Sequence, residues 1–184
     1  SVIEWVDCNI GSKVTMKYPC VILKGDRSKG EVLSVSIADK GQHIDSGAKM
    51  IHVGKNTSSI IRTKSICKNG GRVSYRGKVQ VTKEAKNSKS KVNCDSLIFD
   101  SESQTDTYPL NLLENSESRI EHEASVSKIS DSQLFYLKAK GLSEDEALGL
   151  IVSGFIEPIA KELPLEYAME LNQLIQMDMV GSVG

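Results

Sequence analysis

The stretch Ile120-Glu121-His122-Glu123-Ala124-Ser125-Val126-Ser127-Lys128-Ile129-Ser130-Asp131-Ser132-Gln133 is where the chain changes period. Up to Val126 polar and apolar side chains alternate, which places them on opposite faces of a strand. From Ser130 the pattern becomes helical. Ser130 and Gln133 stand at the spacing of a capping box, in which a Ser oxygen accepts an orphan amide and the Gln side chain reaches back. This box predicts a helix over Gln133–Lys140, closed by Gly141. A second box, Ser143-Glu144-Asp145-Glu146, predicts a helix ending near Gly154. A third helix is expected after Pro164, with Leu165, Ala168, Met169, Leu171, Leu174 and Ile175 on its apolar side.

Upstream of this boundary the chain reads as strands. Val14–Leu23, Val32–Ala38, Lys49–Val53, Ser59–Ile66, Val73–Thr82, Val92–Phe99, Tyr108–Leu113 and Ile120–Val126 are rich in β-branched and apolar residues. Gly, Asn, Asp and Ser clusters such as Lys68-Asn69-Gly70-Gly71 separate them. No helical period intervenes, so βαβ crossovers are excluded and a sandwich, a barrel or a parallel β-helix remains. Aromatic residues make up only 5% of the chain, which favours thin aliphatic cores. Residues 1–129 and 130–184 are expected to form separate parts.

Composition bounds the function. The 184 residues carry 23 Lys+Arg against 24 Asp+Glu, a net charge of −1, which is no footprint for nucleic acid. The longest apolar run, Leu148–Val152, is far too short to span a bilayer. Cys8, Cys20, Cys67 and Cys94 form no CxxC pair and lie at no zinc-finger spacing to His43, His52 or His122. Such widely spaced thiols suit a reducing compartment. The chain begins with Ser1 in strand-like sequence and is expected to be a fragment whose first coil presents an edge and self-associates.

Cys94 is the first candidate for chemistry, because a thiolate is both a sulfur nucleophile and an iron ligand. On the residues alone, a small buried strand residue is the commoner role. Alternation puts Glu121 and Glu123 on one strand face and His122 on the other, so the three cannot converge on one ion from a flat strand. A strand edge at a subunit seam would relax that. Cys20 reads as core, Cys8 and Cys67 as structural or incidental, and His52 as facing solvent. Gly25–Gly30 lacks the spacing of a phosphate loop. A carbohydrate-active β-helix enzyme is an alternative that could use Glu121 and Glu123.

A family resemblance joins these pieces. Met16-Lys17-Tyr18-Pro19, Leu23-Lys24-Gly25-Asp26, Lys49–Thr57, Tyr75-Arg76-Gly77, Cys94-Asp95-Ser96-Leu97, Glu121–Ser125, Asp131–Tyr136, Gly141-Leu142-Ser143 and Glu162–Ala168 stand in the order and approximate spacing of the SufB/SufD family. The chain resembles its C-terminal half. The resemblance implies a right-handed parallel β-helix followed by a C-terminal helical region. It implies a scaffold, not an enzyme, on which a nascent iron–sulfur cluster is assembled, with ATP hydrolysis left to a SufC partner. Cys94, Glu121, His122 and Glu123 are the assembly residues it implies, with Cys94, His122 and Glu123 as metal ligands. Cys94 and the glutamates favour a SufB-like over a purely structural, SufD-like role. Implied partners are SufC, SufD, a cysteine desulfurase and its sulfur shuttle. A reduced flavin in the intact complex and a bacterial cytoplasmic or plastid stromal setting are also implied. A sulfur-entry cysteine is expected nearer the N-terminus of the β-helix, before Ser1. Among the helix residues, Phe135, Tyr136, Leu148, Ile151 and Phe155 are implied to contact SufC.

Overall fold

The computed structural model describes residues 1–179. It divides into a β-unit, Ser1–Ser127, and a helical unit from Lys128 onward.

The β-unit is a parallel β-helix. Its strands are β1 (Val2–Ile10), β2 (Val14–Lys17), β3 (Cys20–Leu23), β4 (Lys29–Ala38) and β5 (His43–His52). They continue as β6 (Ser58–Cys67), β7 (Arg72–Val81), β8 (Lys89–Ile98), β9 (Gln104–Leu113) and β10 (Arg119–Lys128). One sheet has the order β1-β4-β6-β8-β10; the other runs β2-β5-β7-β9, with β3 also on β5. Each coil therefore gives one strand to each sheet. Stacking sets like on like: Val32 pairs with Ile61 and Ile61 with Val92, while Ile37, Ile66 and Leu97 form a second column. All but Leu97, at 6% exposure, are essentially inaccessible. Full burial of one such side chain is worth about 1.5–3 kcal/mol.

The corners carry a repeat that alternation alone does not display. Arg27, Asn56 and Asn87 occupy the left-handed region at φ 59°, 56° and 56°, which Asn tolerates better than most residues. Behind them Ser28, Thr57 and Ser88 turn inward. Thr57 N donates to Ser88 Oγ at 3.1 Å, and Ser88 N to Ser118 Oγ at 2.9 Å. The corners at Thr57 and Ser88 are thus each anchored on the hydroxyl of the next coil, whereas Ser28 N bonds the Gly25 carbonyl within its own turn.

Two residues lie on the side opposite to expectation. Cys20 is exposed, because on β3 the alternate residues Val21 and Leu23 take the interior. His52 is completely buried, its ring nitrogens 2.8 Å from Thr57 Oγ1 and 2.9 Å from Ser59 Oγ. The pattern of β5 was offset by one residue: Met50 and His52 face inward and Ile51 outward, and a one-residue offset exchanges the faces.

In the helical unit α1 spans Asp131–Ala139, α2 Glu144–Ala160 and α3 Leu165–Met179. The Ser143–Glu146 capping box forms: Glu146 N donates to Ser143 Oγ and Ser143 N to Glu146 Oε2, at 3.3 and 2.8 Å. The Ser130 box does not; its hydroxyl lies 2.6 Å from Ser132 Oγ and caps nothing. Helix α2 also runs past Gly154 and through Pro158. A proline ring clashes with the carbonyl four residues earlier, and here that residue is Gly154, whose backbone yields most easily. Leu171 and Ile175 of α3 are buried, whereas Leu165 and Met169 are exposed. Among the described residues no helix is long and apolar enough to cross a membrane.

His52 makes the β-unit sensitive to acid. Burial lowers its pKa from 6.5 to about 4, so the neutral ring is the form that folds. Stability is then fully present above pH 6.5 and is lost as pH falls toward 4. Urea unfolding at about pH 5 should show about 2 kcal/mol less stability than above pH 7. His52→Gln should remove that part of the slope.

Candidate functional site

Strand β8 alternates cleanly, with Ser90, Val92, Cys94 and Ser96 inward and Lys91, Asn93 and Asp95 on the outer side. Cys94 is 3% exposed. On β10 the same alternation turns His122 inward, and its Nε2 lies 3.8 Å from Cys94 Sγ. Glu121 and Glu123 stand on the outer face, both exposed. Glu123 Oε2 accepts from Asn93 Nδ2 at 3.3 Å and lies 3.8 Å from Lys91 Nζ. Glu121 Oε1 is 3.4 Å from Arg119 Nε. The fold therefore brings Cys94 and His122 together and holds the two glutamates apart from them. Among the described residues no three His, Cys, Asp or Glu side chains converge as a metal site.

Strand β7 supplies the far wall. Tyr75, Gly77, Val79 and Val81 face inward, and Arg76 points out. Outside, Arg76 Nε and Nη2 donate to Asp45 Oδ1 and Oδ2 at 2.8 and 2.9 Å, and the guanidinium stacks 4.6 Å from the Tyr108 ring centre. This planar two-point contact holds the register that keeps Tyr75 and Gly77 inside. Tyr75 is 3% exposed, and its hydroxyl has no hydrogen-bond partner; the buried Nδ1 of His122 has none either. Leaving such a group unpaired costs about 1–3 kcal/mol.

Electrostatically the pair is neutral. Burial pushes the Cys94 thiol up to about 11; a hydrogen bond with Thr63 opposes this and the Asp95 charge adds to it. Asp95 is held below the usual carboxylate range by Lys64 and Ser125, although partial burial works against this. Burial also lowers the pKa of His122. At neutral pH the site thus holds a thiol beside an uncharged imidazole that can accept its proton. A metal ion or an electrophilic sulfur would draw that proton off.

Comparison with known proteins decides the family. The SufBD core domain of the SUF system for FeS cluster assembly matches residues 1–155. The chain belongs to the SufBD core family. Over 181 residues it is 58% identical to an iron–sulfur cluster assembly SufBD family protein of Mycobacterium leprae, covering 98% of the chain and 21% of that relative. It is 56% identical to the iron–sulfur cluster assembly protein SufB of Bacillus subtilis, covering 98% of the chain and 39% of the relative. A SufBD family protein of Staphylococcus aureus shows the same 56% and the same coverage. The chain thus spans about a fifth to two fifths of the length of these relatives. Membership in this family sets aside the carbohydrate-active alternative.

Thr63, Tyr75 and Gly77 were not among the expected site residues. Tyr75 and Gly77 lay within one of the family-like strings, and alternation along Val73–Thr82 groups them with Val73 on one face. Only coil stacking shows that this face meets Cys94. Among the helix residues, Phe135 and Tyr136 are exposed, whereas Leu148, Ile151 and Phe155 are half-buried.

The thiols should separate by reactivity. Iodoacetamide at mildly alkaline pH should alkylate exposed Cys20 readily and Cys94 roughly a hundredfold more slowly. The Cys94 rate should climb until pH reaches about 11. Peptide mass spectrometry after timed quenching measures both.

Proposed function

We propose that this chain is the assembly part of a SufB-type scaffold. Cys94 accepts sulfane sulfur, and a nascent iron–sulfur cluster is built beside it. The observation that carries this reading is the Cys94–His122 pair, a thiol and an imidazole 3.8 Å apart inside the last coils of a chain from an iron–sulfur assembly family. Sulfur and iron are substrates here, and the protein's part is to hold them. Neutral His122 takes the thiol proton as Cys94 becomes a ligand or nucleophile. Glu121 and Glu123 offer hard oxygen ligands to ferrous iron on the outer face of β10. A partner strand pairing with that edge, as a SufD subunit would, would enclose the carboxylates at a seam. This gives Glu123 and His122 complementary roles on opposite faces of one strand.

The same reading makes the helical unit the dock for a SufC ATPase. Phe135 at 75% exposure and Tyr136 at 60% are large aromatic side chains of the kind that anchor interfaces. Leu148, Ile151 and Phe155 extend the surface along α2. Upstream, a cysteine desulfurase and its shuttle would deliver persulfide, and a reduced flavin in the intact complex would supply electrons. The chain itself would hydrolyse no ATP, and its setting would be the cytoplasm.

Anaerobic reconstitution of the full-length protein with SufC and SufD, ferrous iron and a persulfide donor tests the reading through visible absorption. Cys94→Ser should abolish the cluster chromophore, and His122→Ala should lower it about tenfold or more, the usual range for loss of a positioned proton acceptor. Parental chromophore in both variants would refute the assignment. Phe135→Ala with Tyr136→Ala should weaken SufC binding by roughly tenfold or more, read by calorimetry.

A further inference from the structure

Buried tyrosine hydroxyls normally find a partner, and Phe in place of Tyr75 would fill the same apolar space without leaving a polar atom unpaired. Tyr75 nonetheless sits in the core cluster that contains Cys94, its hydroxyl buried and without a partner. Opposite it, His122 Nδ1 is in the same condition. Between the two rings lies Gly77. A Cβ at that position would be 3.4 Å from Tyr75 Cε1 and 3.8 Å from His122 Cε1, so the missing methyl leaves room for about one methyl-sized atom. The His122 ring borders both this gap and the sulfur of Cys94, 3.8 Å from its Nε2. A sulfur atom is close to a methyl group in size, and a terminal persulfide sulfur carries negative charge that calls for a buried donor.

We propose that Tyr75 is a positioning residue for sulfur on Cys94: its hydroxyl donates to the outer sulfur of a Cys94 persulfide that extends from Cys94 toward the gap left by Gly77. This rests on the reading of Cys94 as the sulfur-accepting thiol. In the loading step the Cys94 thiolate attacks the outer sulfur of a donor persulfide. The new S–S bond forms on Cys94 as the donor's S–S bond breaks, and the donor leaves as a thiolate that takes up the proton lost by Cys94. Sulfur(0) is transferred without net oxidation. The Tyr75 hydroxyl and a His122 N–H then face the charge on the outer sulfur, and the two unpaired polar atoms gain a partner together.

The test uses the full-length protein under anaerobic conditions with glutathione persulfide as the donor. After removal of excess donor, Cys94 persulfide is followed over time by alkylation and peptide mass spectrometry. Tyr75→Phe should shorten its lifetime by about tenfold or more, as expected for loss of a hydrogen bond to a charged group, with no fall in melting temperature. Gly77→Ala places its Cβ at ordinary contact distances and should leave the fold intact while lowering persulfide occupancy. Should either replacement prevent folding, the other decides the matter. Parental lifetimes in the folded variants would overturn the role of Tyr75 and leave Cys94 as acceptor. Failure of parental Cys94 to load while exposed Cys20 does so would instead overturn the reading of Cys94 itself, and this proposal with it.

Discussion

Coil-on-coil register is the constraint from which the rest of the β-unit follows. Neighbouring strands in a sheet lie about 4.8 Å apart, so every inward residue meets the residue at the same position one coil away. Val32, Ile61 and Val92 can stack only because Arg27, Asn56 and Asn87 turn each corner at the same place. Hydroxyls at the corners then replace the water those turns would otherwise need. Thr57 and Ser88 lie 2.8 Å apart by their side-chain oxygens, and Ser59 donates to Ser90 at 2.8 Å. An interior of this kind tolerates polar atoms if each finds its counterpart in the adjoining coil.

The candidate site uses that rule and breaks it. Cys94 reaches the interior because β8 is in register with β6, and Thr63 is its partner across that pair. His122 stands one strand further along the same sheet. The outer face is held by charge: Lys64 bonds Asp95 at 2.7 Å, Ser125 Oγ donates to Asp95 Oδ1 at 2.5 Å, and Arg62 pairs with Glu31. Such half-exposed pairs contribute modestly to stability. Their greater effect is to resist a shift of register that would carry Cys94 to the surface. Glu121 and Glu123, by the same alternation, cannot enter the interior without unpairing β10.

Much of this was legible in the residues, and the misplaced strand residues share one cause. The change of period at Ser130 marked the start of the helices, and alternation correctly separated His122 from Glu121 and Glu123. Which face is the inside was the harder matter, since a strand between two coils offers apolar residues on both faces. Cys20 was read as core and His52 as facing solvent on hydrophobicity alone, yet Val21 and His52 are the residues that face inward. The corner repeat was also visible in outline, as Asp26-Arg27-Ser28, Lys55-Asn56-Thr57 and Lys86-Asn87-Ser88. Arg27 in place of Asn, and coils of unequal length, concealed it. Tyr75 and Gly77 carried no recognisable chemistry until the opposing sheet brought Cys94 and His122 beside them.

Comparison of the two interior histidines separates support from chemistry. His52 is wholly buried and has a hydroxyl on each ring nitrogen; it is neutral, and every polar atom of its ring is used. Such a residue specifies one arrangement of the coils and has nothing left to offer a ligand. His122 is less deeply buried, faces a sulfur at 3.8 Å and keeps Nδ1 without a partner. Stability alone would favour removing that unpaired atom, as it would the hydroxyl of Tyr75. Both stand at the same gap, beside the one interior thiol flanked by a ring that can take its proton. Two unpaired polar groups around a single nucleophile are costly as packing but coherent as a receptor for a charged atom delivered there.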